Sequence, residues 1–137
     1  MSEQKVVNMN LLKAAKIATL IMLLLILGQS MTGVGAQTTG LDLSSSHVHA
    51  ARLGLVLGIL TAVAIVMSGT DDSKLKAFGF ESATFWVVMY GLGEMSVRMD
   101  GRLSMLHAPI GLLMFARMMM MAKAFPSDDS AEAKAEE

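Results

Sequence analysis

Four long apolar stretches, separated by short charged or small-residue breaks, dominate the 137-residue chain. They cover about residues 17–36, 49–68, 77–97 and 103–123. A helix needs roughly 20 mostly apolar residues to cross about 30 Å of hydrocarbon, so each stretch is long enough to span a bilayer. The sequence therefore predicts an all-α fold: an integral membrane four-helix bundle formed by residues 1–124.

Composition supports a membrane location and excludes several classes of partner. The chain is 53% hydrophobic and 17% charged, which is too apolar for a soluble domain of this length. Its net charge of -1 provides no basic surface, so nucleic acid is not expected to bind. The absence of cysteine excludes disulfides and thiolate metal sites. Residues 125–137 are acidic and rich in alanine, and we expect them to form a disordered tail.

Positive charges are unequally shared between the two ends of the predicted bundle. The N-terminus, the middle loop and the C-terminal end carry Lys5, Lys13, Lys16, Lys74, Lys76, Arg117, Lys123 and Lys134. The opposite side carries Arg52, Arg98 and Arg102. Because cytoplasmic loops are enriched in Lys and Arg, both termini are predicted to be cytoplasmic. We therefore expect a multi-pass protein of the cell (inner) membrane with the lipid bilayer as its main partner.

With this topology the three histidines lie near the outer surface, where His47 and His49 begin the second helix and His107 begins the fourth. Histidines at similar depth on two helices of a bundle can ligate one metal centre. A heme iron takes one imidazole from each side, so His107 and His49 are the predicted axial ligands. Three arginines are placed to meet heme propionates at the same surface: Arg52, Arg98 and Arg102. In the alternative interpretation the histidines lie unligated in the headgroup layer.

The order of polar residues along the helices resembles one four-helix half of heme A synthase and related small b-heme membrane proteins. The resemblance is carried by Gln29, His49, Glu94, and the pair Leu106 and His107. A faint internal echo, residues 27–30 against 92–95, accompanies it. The resemblance implies heme b bound by His49 and His107. Ser46 and Ala50 stand where that family has a Glu and an Arg around the histidine, so it implies heme binding more than hydroxylation chemistry.

The same outer surface allows a copper site as a second metal hypothesis. His47, Val48 and His49 form an HxH sequence, and thioether sulfurs with imidazoles suit copper. The methionines near this surface are Met31, Met95, Met99 and Met105.

Other polar and small residues favour structural roles. Glu94 and Arg98 lie four residues apart, which predicts an ion pair on one helix. Glu81 and Arg117 lie at similar heights and predict an ion pair between the third and fourth helices. Gly54 and Gly58 form a small-xxx-small pattern that allows close helix contact.

No catalytic motif of a soluble enzyme is present, and the short loops leave no extramembrane domain, so a freestanding enzyme is not expected. The broadest functional hypothesis is an accessory or structural subunit of a respiratory or monooxygenase-type membrane complex, associated with other transmembrane subunits or with itself. The alternative is a b-heme protein with two histidine ligands that acts in electron transfer or heme handling. A copper-binding His/Met site is the further alternative.

Overall fold

The computed structural model describes residues 6–39, 42–98 and 104–127. They form four helices: α1 (Met9–Thr39), α2 (Ser44–Met67), α3 (Ser73–Arg98) and α4 (Ser104–Ala124). No strand occurs in these three ranges. The prediction of an all-α, four-helix fold is confirmed. The tail beyond residue 127 and the loop at residues 99–103 lie outside the described residues, as does Lys5.

The helices begin earlier or end later than the predicted spans because polar side chains at their ends satisfy free backbone groups. Asn8 accepts a hydrogen bond from the Leu11 amide, and Asp72 accepts from the Lys74 and Leu75 amides. Five residues, including Gly69, whose φ is 74°, are left to turn the chain between α2 and α3. The turn is therefore shorter than the eight residues that separate the predicted spans 49–68 and 77–97.

The connection between α1 and α2 is also shorter than predicted. Asp42 accepts hydrogen bonds from the Ser44 amide and hydroxyl just before α2 begins. These two bonds hold the pKa of the exposed Asp42 carboxyl below its usual value. The segment between the first two predicted spans thus contributes both the last turn of α1 and the first turn of α2.

The four helices form a closed ring in chain order. Each helix packs against the next, and α1 packs less closely against α4. The Asn8 amide donates to the Ser68 carbonyl at 2.8 Å, which brings the start of α1 to the end of α2. The α1–α2 and α3–α4 connections lie at the opposite end, which we call the histidine end because His47 and His107 lie there. In this arrangement α2 and α4 face each other across the bundle.

Three helices are long and apolar enough to cross a membrane: Met9–Gly33 in α1, Ser44–Met67 in α2 and Met105–Ala124 in α4. Large apolar side chains such as Leu24, Val56 and Leu112 point outward from them. Outward apolar side chains suit a lipid environment. α3 carries more polar residues and is not among the three.

Trp86 joins α3 to α2 in the middle of the bundle. Its side chain is 3% exposed and fills a notch on α2 at Gly54 and Gly58. A Cβ at Gly54 would overlap the six-membered ring, and one at Gly58 would lie 2.8 Å from the five-membered ring and 3.6 Å from the Ala83 Cα. The expected close contact at Gly54 and Gly58 is confirmed, and most of the space that the glycines leave is taken by the indole.

The buried positions of the two helical hairpins repeat with a spacing of 60 residues. The buried pairs are Ala15 and Leu75, Thr19 and Gly79, Met22 and Ser82, Ile26 and Trp86, Gly54 and Met114, Gly58 and Met118, Thr61 and Met121, and Ile65 and Phe125. Met22 and Ser82 also contact each other, as the Ser82 hydroxyl lies 3.9 Å from the Met22 sulfur. α1–α2 and α3–α4 are therefore related by a pseudo-twofold axis along the bundle. The sequence echo at residues 27–30 and 92–95 implied a spacing of 65 residues, which this burial pattern corrects.

Candidate metal centre

Two histidines face each other across the histidine end of the bundle. The ring centroids of His47 on α2 and His107 on α4 are 6.1 Å apart, with 44° between the ring planes. Both side chains are half-buried. They are 60 residues apart and so occupy equivalent positions in the two hairpins. The pseudo-twofold axis passes between them, which is why one position supplies both rings.

The structure pairs His107 with His47 and not with the predicted His49. His49 is exposed. Residues two apart on a helix point about 200° away from each other, so His49 turns outward when His47 turns inward. The same geometry prevents the HxH sequence from acting as a chelating pair, since its two rings cannot reach one ion from a single helix.

Thr32 on α1 orients the His47 ring. The Thr32 hydroxyl donates to the Gln29 carbonyl at 3.1 Å and lies 3.2 Å from His47 Nδ1. Because the hydroxyl has one proton and directs it to Gln29, it accepts from His47 Nδ1–H. The remaining nitrogen, Nε2, then carries the lone pair that a metal ligand needs.

His107 lacks such a partner. Its Nδ1 is buried and has no hydrogen bond among the described residues. A glycine lies beside each histidine: a Cβ at Gly93 would be 3.9 Å from His107 Cε1, and a Cβ at Gly33 would be 4.0 Å from His47 Cε1. These two glycines are also 60 residues apart. Each hairpin therefore supplies one histidine and one glycine to the same centre.

The histidine end has fewer buried side chains than the rest of the bundle. The last buried residues toward it are Ile26, Gly54, Trp86 and Met114. Beyond them none of the described side chains is buried, over about 10 Å between Gly54 and His47. His47 and His107 therefore lie in the less buried part of the bundle, where a ligand could reach them.

The spacing of the two rings suits a metal held between them. A metal–imidazole bond is about 2.0–2.1 Å long, so two such bonds on opposite sides of one ion place the ring centroids roughly 6 Å apart. The observed separation is 6.1 Å. Two imidazoles that bind one iron leave four further ligands to be supplied, and the nitrogens of a porphyrin would supply them. The residues present therefore fit a heme.

The two predicted propionate partners that lie among the described residues are both exposed. Arg52 is exposed on α2, and the side chain of Arg98 is 79% exposed and lies 3.8 Å from Glu94. Arg102 falls outside the described residues. The predicted Glu94–Arg98 pair is confirmed, and it already engages one of the three arginines.

The methionines do not assemble a copper site. Met31, Met95 and Met105 are all exposed, and Met99 lies outside the described residues. Within the described ranges no group of three or more His, Cys, Asp or Glu side chains could hold a metal ion. The described methionines of this set therefore do not form a buried ligand group with His47 and His107.

The predicted pair between α3 and α4 is confirmed. Arg117 Nε donates to one Glu81 oxygen at 2.9 Å, and a terminal nitrogen donates to the other at 2.7 Å. The guanidinium also lies 4.9 Å from the centroid of the Phe78 ring. A groove of about 750 Å³ between α3 and α4 borders this pair and is otherwise lined mainly by apolar residues such as Phe85 and Leu113. Because the charges satisfy each other, we assign this pair to helix packing.

The sequence analysis missed Thr32, Gly33 and Gly93 as residues of the centre. A signal was present, because the sequence Leu-Ser-x-x-His occurs at residues 43–47 and again at 103–107, with a Gly fourteen residues before each His. Aligning the chain with itself on these two sequences gives the 60-residue spacing. It also selects His47, not His49, as the counterpart of His107.

Comparison with models of protein families, with curated proteins and with solved structures gives no match to this chain.

Proposed function

We propose that this chain is a multi-pass membrane protein that binds one heme b between His47 and His107 and acts in electron transfer or heme handling. The observation that carries the proposal is the ring separation of 6.1 Å between histidines on opposite helices, at the less buried end of the bundle. His47 replaces His49 in the ligand pair expected from the sequence. His107 is retained from that expectation.

Each residue of the centre has a distinct part in holding the group. His47 and His107 would hold the iron through one imidazole nitrogen each, from opposite helices. Thr32 fixes the His47 tautomer, and Gly33 and Gly93 leave space beside the imidazoles where larger side chains would stand. Bound heme would supply one-electron oxidation and reduction at its iron. Apolar helices around the centre limit the access of water.

The proposal includes an orientation in the cell membrane. α3 has 26 residues, about 39 Å, and runs between helices that can span a bilayer, so we propose it as the fourth span. The end opposite to the histidines carries most of the described cations, Lys13, Lys16, Lys74, Lys76, Arg117 and Lys123. Both termini are then cytoplasmic, and the histidine end faces the outer side of the inner membrane.

Membership of a larger respiratory or monooxygenase-type complex is the second candidate function. The observation in its favour is the groove between α3 and α4, where the partly exposed Glu81 and Arg117 would be covered by a helix of another subunit. This role is compatible with a bound heme. The copper alternative has less support, because Met31, Met95 and Met105, the described methionines of its set, are exposed.

The test is a reduced-minus-oxidised absorbance spectrum of the full chain purified gently from membranes. We expect a b-type band that is lost in His47→Ala and in His107→Ala. His49→Ala is the matched control, as it removes an exposed imidazole two residues away, and it should keep the band. Loss of the band in His49→Ala but not in His47→Ala would restore the ligand pair predicted from the sequence. A colourless protein that copurifies with larger subunits would contradict heme binding and favour the accessory role.

A further inference from the structure

The two histidines of the centre differ in how firmly they are held, although the pseudo-twofold axis relates them. His47 Nδ1 lies 3.2 Å from the Thr32 hydroxyl, which directs its own proton to the Gln29 carbonyl and so accepts from Nδ1–H. His107 Nδ1 is buried and has no hydrogen-bond partner among the described residues. A hydrogen bond from the outer ring nitrogen fixes a ligating imidazole and raises its basicity. His47 has this support and His107 does not.

The difference between the two histidines follows from one sequence difference between the two hairpins. Position 92 is the counterpart of Thr32, and it is occupied by a leucine. Leu92 precedes Gly93, which lies beside His107, as Thr32 precedes Gly33, which lies beside His47. The second hairpin therefore keeps the glycine and the histidine but replaces the hydroxyl that would accept from Nδ1.

We infer that His107 is the exchangeable ligand of the centre: a small neutral molecule such as carbon monoxide replaces it at the reduced iron while His47 stays bound. This inference rests on the proposed heme site. In the exchange the bond from the His107 nitrogen to the metal breaks, and a bond from the incoming carbon forms. The imidazole leaves neutral, so no proton or electron is transferred. The function of the centre then extends from electron transfer to the binding of small gaseous ligands.

The experiment places at position 92 the threonine that stands at the equivalent position 32. Reduced wild-type protein is titrated with carbon monoxide and followed by its heme absorbance, and we expect saturable binding. Leu92→Thr should give His107 an acceptor and lower the affinity for carbon monoxide by about 10–100-fold, the usual effect of such supporting contacts on a ligand–metal bond. Leu112→Thr adds the same hydroxyl at an exposed position of α4 and should leave the affinity unchanged.

The possible outcomes are distinct. A protein with a two-histidine heme spectrum that does not bind carbon monoxide overturns the inference but leaves the proposed function. The inference is also overturned, and the proposed function kept, if carbon monoxide binding is unchanged in Leu92→Thr but altered in Thr32→Leu. His47 would then be the exchangeable ligand. If Leu92→Thr reduces the heme content, Leu92→Ser supplies the hydroxyl on a smaller side chain. An unchanged affinity for carbon monoxide in Leu92→Ser would also contradict the inference. Absence of any heme band in the wild type refutes the proposed function itself.

Discussion

Gly54→Ala should destabilise the bundle, although alanine is the better helix former. The new Cβ would overlap three carbons of the Trp86 six-membered ring. That ring is rigid and almost fully buried, so either the indole or α2 must move. Overpacking of this kind costs about 1–3 kcal/mol. Gly28→Ala provides the control, because a Cβ there meets nothing within 4 Å.

Both substitutions gain the same helix propensity, about 0.8–1.0 kcal/mol in a water-exposed helix. The difference between them therefore isolates the clash, and we expect Gly54→Ala to be less stable than Gly28→Ala by about 1–3 kcal/mol. Unfolding in mixed detergent, followed by circular dichroism, measures this difference. Trp86 is the single tryptophan, so its fluorescence reports the same site independently.

A second comparison tests the cause of the loss. In a Trp86→Phe background the smaller ring leaves space for the added methyl group, and Gly54→Ala should then cost less than in the wild type. Equal stability of Gly54→Ala and Gly28→Ala would refute the packing described for Trp86. An equal cost with and without the indole would show that the loss has another source.

Three further predictions concern an ion pair, an aspartate and the orientation of the chain in the membrane. Glu81→Leu or Arg117→Leu alone should lower stability by roughly 1–3 kcal/mol in detergent unfolding, and the double variant by less, because a single change leaves one charge unpaired. If the double variant is the least stable, the pair is not what connects α3 and α4. Because the pKa of Asp42 is lowered, its hydrogen bonds to Ser44 are complete above the ordinary aspartate pKa and are lost as pH falls through the lowered value. The Ser44 amide resonance should therefore titrate with a midpoint below the ordinary aspartate pKa. In Asp42→Asn the same resonance should not depend on pH. Because the chain has no cysteine, single cysteines at Asp42 and Asp71 should react with an impermeant reagent from opposite sides of the membrane; labelling from the same side contradicts the proposed topology.

The helices and the two ion pairs could be predicted because their causes are local in the sequence or lie at matching heights. A run of about 20 apolar residues defines a span wherever it occurs, and Glu81 and Arg117 had few other partners at their depth. The helix ends were less predictable. Ser, Thr and Gly around residues 37–46 are typical of loops, but the helices continue into this segment.

The ligand pair could be predicted only in part, because it depends on helix rotation. His47 and His49 are the same residue type and lie at nearly the same depth on one predicted helix. They differ only in the face of α2 on which they lie. That face is set several turns away, where Gly54 and Gly58 receive Trp86. A position seven residues before Gly54 lies on the same side of the helix, whereas one five residues before it does not. The packing of Trp86 therefore directs His47 inward.

The pseudo-twofold axis explains how a short chain with three histidines presents a matched pair. A residue close to a twofold axis meets its own counterpart, so a single inward histidine in a hairpin becomes two facing histidines when the hairpin is repeated. Met22 and Ser82 show the same relation deeper in the bundle, where counterparts contact each other although their side chains differ. Repetition thus accounts for the shared position of His47 and His107, while differences between counterparts determine how the two sides act. Thr32 against Leu92 is such a difference beside the centre, and for this reason the exchange of those two residues separates the contribution of symmetry from that of the individual side chain.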